Sequence, residues 1–307
     1  MRVSQKVKKI LSFYESDNPG SKTNLARFLM HGKLAGSGKM MILAVDQGFE
    51  HGPDRSFAAN PAALDPHYHY QLALDAGLSG YAAPLGSLEA GADTFINAVP
   101  TILKMNSSNS LLGKNNPPDQ AVTATVHDAL RLGCSAIGFT IYPGSDASLD
   151  LFEEIRELSL EAKACGLAVI IWSYARGNMS KEGETAIDVI SYGAHMAALL
   201  GAHIIKVKLP SAHLEFPEAK QNYTKYGIKI DTMADRVKHV VDCCFKGRRM
   251  VIFSGGESKD VNSVLDDGKA IKAGGGFGSI IGRNCFQRPR EEAIKMLQDL
   301  TAIYRNQ

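Results

Sequence analysis

The chain has 307 residues, of which 45% are hydrophobic and 21% charged, so it can bury a large core and is neither disordered nor a disulfide-stapled mini-protein. Its 34 Lys and Arg residues against 32 Asp and Glu residues leave a net charge of +2, which argues against nucleic acid or a membrane as a partner. Five cysteines without a Cys-x-x-Cys spacing favour a reducing compartment, and no signal-peptide or membrane-spanning pattern occurs, so we expect a cytoplasmic protein.

After an N-terminal arm (residues 1–39), short apolar runs alternate with longer amphipathic stretches. Eight runs have the length and composition of strands: 40–46, 78–83, 101–106, 136–142, 168–174, 203–209, 250–254 and 278–283. Helical periodicity is clearest in four of the stretches: 150–165, 185–200, 233–245 and 290–304. Strands that alternate with helices specify a parallel sheet, and eight such units close into a barrel. We therefore predict an α/β chain with a (β/α)8 TIM barrel over residues 40–307, preceded by an N-terminal extension. A doubly wound open sheet is the alternative.

The segment between Leu209 and Met233 is long for a loop that follows a strand. In a barrel, such a loop lies at the mouth formed by the carboxyl ends of the strands, where active sites are built. Two interpretations of this segment, residues 210–232, stay open. It is either a lid or subunit contact, or a surface insertion without chemistry.

Side-chain alternation along the sixth run places two lysines inside the barrel. Ile205, Val207 and Leu209 form an apolar row that faces the helices, so Lys206 and Lys208 face inward. The same alternation predicts further inward-facing polar and aromatic side chains at the carboxyl ends of other strands: Asp46, Lys104, Asn106, Trp172 and Tyr174.

A lysine in such a confined space loses its proton more readily, because burial and neighbouring cations both disfavour the ammonium form. The neutral amine is a nucleophile, and with a ketone or aldehyde it forms a Schiff base that can accept electrons when a carbon–carbon bond breaks. The alternative is a structural one, in which Lys206 pairs with Asp46 as a buried ion pair.

The last two runs end in glycine-rich segments. Ser254, Gly255 and Gly256 follow the seventh run, and Gly282 and Arg283 end the eighth. In these barrels the loops after strands seven and eight commonly bind phosphate, because glycine lets backbone N–H groups approach the anion and arginine clamps it. The pattern predicts a phosphate site.

Six motifs at successive strand ends carry a family resemblance. They are DQGFEHGP (46–53), YPGS (142–145), WSYARG (172–177), KVK (206–208), SGG (254–256) and GRN (282–284). In this order they resemble the archaeal-type class I fructose-bisphosphate aldolases, over residues 40 to 307, and the long N-terminal arm is similar to that of the bacterial branch.

The resemblance implies a metal-independent lyase, without a cofactor, that interconverts fructose 1,6-bisphosphate with dihydroxyacetone phosphate and glyceraldehyde 3-phosphate. It implies that Lys206 forms the Schiff base, that Tyr174 transfers a proton and that Asp46 assists. It also implies a set of substrate-binding residues: Trp172 near the substrate, Lys208 beside Lys206, and Ser254, Gly255, Gly256, Gly282 and Arg283 around a phosphate. Family members form closed rings, often decamers, so a homo-oligomer is implied as well.

Two positions depart from the family pattern, since Gln47 replaces a common His and Ala175 replaces Pro. Both could alter the shape of the site. Two other functions remain open: another Schiff-base lyase or transferase acting on a phosphorylated ketose or hydroxyketone (transaldolase-like, thiolase-like or an aromatic-precursor aldol enzyme), and a non-catalytic sugar-phosphate-binding protein. A zinc site built from His51, His67 and His69 is disfavoured, because these residues do not converge with a recognisable ligand spacing.

Overall fold

The computed structural model of the protein describes residues 3–113, 116–255 and 259–305. Eight parallel strands form a closed barrel, in which each strand pairs with its neighbours in sequence and the first pairs with the last. They are β1 (Met40–Ala44), β2 (Gly80–Pro84), β3 (Thr101–Lys104), β4 (Ala136–Ile141), β5 (Ala168–Ser173), β6 (Ile204–Lys208), β7 (Met250–Ser254) and β8 (Gly278–Ile281). The predicted TIM barrel is confirmed, and the open sheet is wrong.

Helices surround the barrel and connect its strands. They are α1 (Gln5–Leu11), α2 (Pro19–Leu29), α3 (Gln47–His51), α4 (Pro53–Phe57), α5 (Pro66–Ala76), α6 (Leu85–Gly91), α7 (Val126–Arg131), α8 (Ser148–Ala164), α9 (Ile187–Leu199), α10 (Pro217–Lys225), α11 (Met233–Cys243), α12 (Val261–Ala273), α13 (Arg283–Phe286) and α14 (Arg290–Arg305). The four helices predicted from periodicity correspond to α8, α9, α11 and α14. Asn106–Ser107 and Ala121–Val122 pair as a short antiparallel ribbon.

Local signals account for where these helices begin. Thr232 and Asp235 form a reciprocal capping box at the start of α11, which satisfies backbone N–H groups that have no partner within the helix. On α8 the buried positions Leu151, Ile155 and Ala162 share one face, and this face packs against the barrel. In the ranges that the structure describes, no helix is both long and apolar enough to cross a membrane.

The barrel has two cores, which the alternation of side chains separates. Met41, Leu43, Ile205 and Val207 belong to the core between the strands and the helices. The other parity fills the barrel interior, with Met40, Ile42, Ala44, Ile170, Trp172, Ile204 and Ile252. The predicted inward direction of the Lys206 and Lys208 side chains is therefore confirmed, because they share the parity of Ile204.

The N-terminal arm closes the barrel at the amino ends of its strands. Side chains of α1 and α2, among them Leu25 and Phe28, belong to the same apolar cluster as the interior residues. Tyr14 Oη donates a hydrogen bond of 2.5 Å to the carbonyl oxygen of His203, which immediately precedes β6. The described part of the N-terminal arm thus covers the amino end of the barrel and leaves the carboxyl ends of the strands as the place for a site.

Candidate active site

A cavity of about 270 Å³ occupies the mouth of the barrel at the carboxyl ends of the strands. Most of the residues predicted for the site line it: Asp46, Tyr174, Lys206, Lys208, Ser254, Gly255, Gly282 and Arg283. Trp172 lies beneath them, inside the barrel. Gly256 falls outside the described residues.

Lys206 is a buried amine that has no hydrogen-bond or ion-pair partner within the described ranges. It pairs in register with Trp172 of β5 and Ile252 of β7, and its side chain is 4% exposed. Its Nζ makes no hydrogen bond or ion pair with any residue that the structure describes, although it faces the cavity. Burial lowers the pKa of this amine to about 8; Asp46 and Glu50 act against the shift, and Arg283 adds to it.

The ion pair between Lys206 and Asp46, considered above as a structural alternative, is not formed. Within the described ranges no Asp or Glu oxygen comes within 4.0 Å of Lys206 Nζ. Asp46 still acts on the lysine at longer range, since its charge raises the pKa of Lys206. The two groups therefore share one cavity, and Lys206 keeps its amine available for a substrate.

Trp172 forms an aromatic surface under two of the lysines. Its ring centre lies 5.1 Å from the Nζ of Lys206 and 6.0 Å from that of Lys104. The ring occupies this place because Gly138 on the adjacent strand has no side chain. A Cβ atom at Gly138 would lie 2.1 Å from Cζ3 of the indole.

Replacing Gly138 should disturb this aromatic surface. We expect Gly138→Ala to destabilise the fold by about 1–3 kcal/mol, the usual cost of overpacking a core, and to slow Schiff-base formation because the ring under Lys206 must move. Thermal unfolding and borohydride trapping measure the two effects. Gly86→Ala is the matched control, since a Cβ there meets nothing within 4 Å. Equal behaviour of the two variants would contradict the role given to Gly138.

The two other lysines on the strands that line the cavity, buried Lys104 and partly exposed Lys208, already have protein partners. Lys104 donates to the backbone carbonyl oxygen of Asn106 and, at 3.1 Å, to its Oδ1 atom. Lys208 Nζ lies 4.0 Å from Glu184 Oε2. Burial lowers the pKa of each to about 8, so the pKa does not distinguish these two lysines from Lys206. They differ from Lys206 in that a protein group lies next to each amine.

The ring of Tyr174 lies close to the amines of Lys206 and Lys208. Its ring centre lies 5.4 Å from Lys206 Nζ and 5.9 Å from Lys208 Nζ, and its hydroxyl oxygen is 3.5 Å from Ser254 Oγ. Burial raises the pKa of the Tyr174 phenol well above its usual value. The group is therefore a neutral phenol at rest, and any phenolate formed here needs a nearby positive charge.

Glycine is required where β8 ends. A Cβ at Gly282 would lie 2.9 Å from both the carbonyl oxygen of Ala44 and Nε2 of Gln47. After this close approach Arg283 lines the cavity, as do Ser254, the last residue of β7, and Gly255, which follows it. The predicted phosphate-site residues that the structure describes are thus brought together.

The two departures from the family pattern leave the predicted groups in place. Gln47, in the first turn of α3, contributes to the cavity wall, and its Oε1 atom is buried without a hydrogen-bond partner among the described residues. Ala175 is buried in a small apolar cluster with Ala186 and Val189. Gln47 therefore forms part of the cavity wall, whereas Ala175 does not line the cavity.

The cavity also holds a cluster of cations to which the sequence analysis gave no role beyond Lys208. Arg176 and Lys181, on the loop after β5, line the cavity beside Lys208. All three cations surround one carboxylate oxygen of Glu184, with Arg176 at 2.6 Å and Lys181 at 3.0 Å. In the sequence these cations are marked only by the place of Arg176 in the WSYARG motif (172–177).

Two of the three histidines considered for zinc contact backbone oxygens, whereas the third, His51, lines the cavity with its Nδ1 3.4 Å from Ser110 Oγ. His67 and His69 contact the carbonyl oxygens of Ala90 and Ala63 at 2.9 and 2.7 Å. No group of three or more His, Cys, Asp or Glu side chains arranged for a metal ion is found in the described part of the chain.

A TIM barrel whose mouth holds a lysine without a hydrogen-bond or ion-pair partner among the described residues, together with a carboxylate, a phenol and two glycine-rich strand ends beside an arginine, has the layout of an enzyme that works through a Schiff base. Comparison with known proteins is consistent with this class. The family model "DeoC/LacD family aldolase" matches residues 40–288. The chain belongs to this family and, within it, to the archaeal-type class I fructose-bisphosphate aldolases, which confirms the resemblance found in its motifs.

Two curated relatives and one solved structure illustrate the relationship. A probable fructose-bisphosphate aldolase class 1 of Chlamydia muridarum is 34% identical, over 95% of this chain and 87% of the relative. The fructose-bisphosphate aldolase class 1 of Thermoproteus tenax is 33% identical, over 88% and 91%. An archaeal fructose-1,6-bisphosphate aldolase, solved with its catalytic Lys covalently bound to the carbinolamine intermediate, has a TM-score of 0.75 and 30% identity, over 91% of this chain and 98% of that one.

Proposed function

We propose that Lys206 is the Schiff-base lysine of this class I aldolase, which cleaves fructose 1,6-bisphosphate reversibly into dihydroxyacetone phosphate and glyceraldehyde 3-phosphate. One observation carries the assignment. Of the three lysines on the barrel strands that line the cavity, Lys206 is the one whose amine has no hydrogen-bond or ion-pair partner among the described residues, whereas Asn106 binds Lys104 and the Glu184 carboxylate lies 4.0 Å from Lys208.

The reaction begins with the neutral amine. Lys206 attacks the C2 carbonyl carbon, and the resulting carbinolamine loses water to give an iminium ion. Asp46 relays the proton that leaves with the water, a role supported by its position in the cavity wall and by its electrostatic effect on Lys206. Because the pKa of Lys206 is about 8, an appreciable fraction of the amine is neutral near pH 7.

Cleavage of the C3–C4 bond delivers its electron pair to the iminium, which becomes an enamine. Tyr174 first loses its phenolic proton to the water released when the iminium forms, a loss that the positive iminium favours. The phenolate then takes the C4 hydroxyl proton, so that the aldehyde can leave, and the phenol so formed protonates the enamine at C3. Phenolate at Tyr174 is costly because the side chain is buried, but the iminium on Lys206, close to the tyrosine ring, supplies the positive charge that stabilises it. Hydrolysis of the iminium then frees dihydroxyacetone phosphate.

Two cationic regions of the cavity match the two phosphates of the substrate. Ser254, Gly255, Gly282 and Arg283, together with Gly256, bind the C1 phosphate and so place C2 at Lys206. Arg176, Lys181 and Lys208 bind the C6 phosphate, with Glu184 holding them together.

Turnover should survive complete removal of divalent metal ions. In this mechanism the iminium, rather than a metal, withdraws electrons from the carbonyl carbon. We expect cleavage of fructose 1,6-bisphosphate, measured by a coupled triose-phosphate assay, to be unchanged after dialysis against EDTA. Loss of activity with EDTA and its recovery with zinc would contradict the Schiff-base assignment.

Parallel assays with other phosphorylated ketoses distinguish this reaction from a related Schiff-base transfer, and absence of turnover with all of them would indicate a binding protein.

A cytoplasmic location and a ring-shaped homo-oligomer are parts of the same proposal. All five cysteines are free thiols, and Cys134, Cys244 and Cys285 are buried, which suits a reducing compartment. Large side chains on the outer helices, Tyr192 of α9 and Phe216 at the start of α10, are 60% and 42% exposed. Such residues are common where subunits meet.

A further inference from the structure

Glu215 joins two loops at the mouth of the barrel. It lies in the segment between β6 and α11, and its carboxylate accepts two hydrogen bonds of 2.7 Å from Ser180, one from the backbone N–H and one from the hydroxyl. His213 Nε2 lies 3.0 Å from the same carboxylate. Ser180 belongs to the loop after β5, which also carries Arg176, Lys181 and Glu184.

The carboxylate of Glu215 supports the half of that loop farther from β5. The nearer half is held by the loop after β4, because the N–H groups of Arg176 and Asn178 donate to the carbonyl oxygens of Pro143 and Gly144. Beyond Asn178, Ser180 depends on Glu215. Lys181 and Glu184 follow within four residues, and Glu184 in turn binds the side chain of Arg176, so both cations are positioned in part by a residue outside the cavity.

Glu215 is itself fixed. The backbone N–H groups of Glu215 and Phe216 donate to the buried carboxylate of Asp188, at 3.1 and 3.0 Å. Gly183 packs directly against the Glu215 carboxylate, since a Cβ there would lie 2.5 Å from Cδ. The hydrogen bonds from Ser180 lower the pKa of Glu215 to about 2. The contact therefore persists across the pH range in which enzymes are assayed.

We infer that Glu215 is a positioning residue for the second phosphate, which it serves by holding the loop that presents Arg176 and Lys181 to the cavity. The inference rests on the proposed function, in which these cations bind the C6 phosphate. It also assigns a role to the segment of residues 210–232. Part of this segment supports the neighbouring loop through hydrogen bonds. This role is compatible with a lid and with a subunit contact.

The test compares two substrates that differ only in the C6 phosphate. Glu215→Ala should raise the KM for fructose 1,6-bisphosphate about tenfold, the equivalent of one hydrogen bond to a charged group, and should leave kcat/KM for fructose 1-phosphate nearly unchanged. In Gly183→Ala the Glu215 carboxylate is kept, but the added methyl group displaces it. This variant should therefore also raise the KM for fructose 1,6-bisphosphate and leave kcat/KM for fructose 1-phosphate nearly unchanged. Glu218→Ala, at an exposed position in the first turn of α10, is the matched control.

The outcomes separate this inference from the proposed function. If the wild-type protein forms no borohydride adduct with dihydroxyacetone phosphate, the proposed function fails and the inference with it. If the wild-type protein is trapped but Glu215→Ala and Gly183→Ala behave like Glu218→Ala, only the inference is overturned. An equal loss of activity toward both substrates would show a general structural role and would overturn it too. Gly183→Ala keeps the test decisive if Glu215→Ala does not fold.

Discussion

Borohydride added with dihydroxyacetone phosphate should convert Lys206 into a stable secondary amine. The iminium formed by the neutral amine and the C2 carbonyl is reduced in place, and peptide mass mapping should find the adduct on Lys206. The geometric reason is the unpartnered amine at the mouth of the barrel, over the ring of Trp172. Lys206→Met should abolish the adduct and lower the cleavage rate by roughly 10⁴-fold or more, as loss of a covalent nucleophile does elsewhere.

The rate of trapping should depend on pH in a defined direction. Only the neutral amine attacks the carbonyl, and burial sets the pKa of Lys206 at about 8. The initial rate should therefore rise from pH 6 to pH 8 and level off above that value. A rate that continues to rise toward pH 10, the range of an ordinary lysine, would show that the amine is not perturbed by its surroundings.

Lys104→Met is the matched control for Lys206→Met, because both lysines are buried in the same cavity and contact the same indole ring. The control should keep the adduct, since the Lys104 amine is already held by Asn106. An adduct that maps to Lys104 or Lys208 in the wild-type protein would overturn the assignment of the nucleophile.

The barrel and the direction of its lysines could be predicted because both follow from local patterns. Alternation of apolar and polar residues in β6 is enough to place Lys206 and Lys208 inside, and seven of the eight strands lie wholly within the predicted runs. β2 is the exception, at Gly80–Pro84 rather than 78–83. Leu78 donates its N–H to the carbonyl oxygen of Ala73 and so completes the end of α5, and the strand begins only after it.

Contacts between distant parts of the chain could not be predicted in the same way. The space for Trp172 depends on Gly138, which lies 34 positions earlier and is recognisable as necessary only when the two strands are paired in register. Likewise, Glu215 meets Ser180 across 35 positions, between two loops without a periodic pattern. For the same reason the sequence does not predict that Arg176 and Lys181 lie beside Lys208. Their approach to Lys208 depends on the contacts that hold their loop in place.

The partner of Lys208 shows what the alternation of side chains leaves undetermined. Its inward direction places it next to Lys206, and from the sequence each lysine could serve as the nucleophile or as the neighbouring cation. The structure separates them because Lys208 lies at the end of β6, within reach of Glu184, whereas Lys206 lies one inward position deeper. Depth in the barrel, rather than residue type, determines which amine is left without a carboxylate.

Tyr174→Phe should separate Schiff-base formation from bond cleavage. Removing only the hydroxyl leaves Lys206, Asp46 and Trp172 in place, so trapping of dihydroxyacetone phosphate should proceed at close to the normal rate. Cleavage of fructose 1,6-bisphosphate should slow by roughly 10²- to 10⁴-fold, the usual contribution of one general acid–base group. Quenching with borohydride during turnover should then show the bisphosphate adduct accumulating on Lys206, because formation of the iminium no longer leads promptly to cleavage.

The matched control for this variant is Tyr142→Phe, which removes the other phenol near the cavity. Tyr142 Oη accepts a hydrogen bond of 2.6 Å from Gln120, and its ring makes no contact with Lys206 of the kind that Tyr174 makes at 5.4 Å. We therefore expect Tyr142→Phe to keep most of the cleavage rate. If Tyr174→Phe cleaves the bisphosphate at a near-normal rate while Tyr142→Phe does not, the proton is carried through Tyr142, and the role proposed for Tyr174 must be withdrawn. The loss of cleavage rate in Tyr174→Phe should be large for the same reason that Tyr174 is a neutral phenol at rest. Burial raises the pKa of the phenol, so its phenolate depends on the adjacent iminium for stability. A group exposed to water lacks this stabilisation and cannot replace Tyr174 as the proton acceptor.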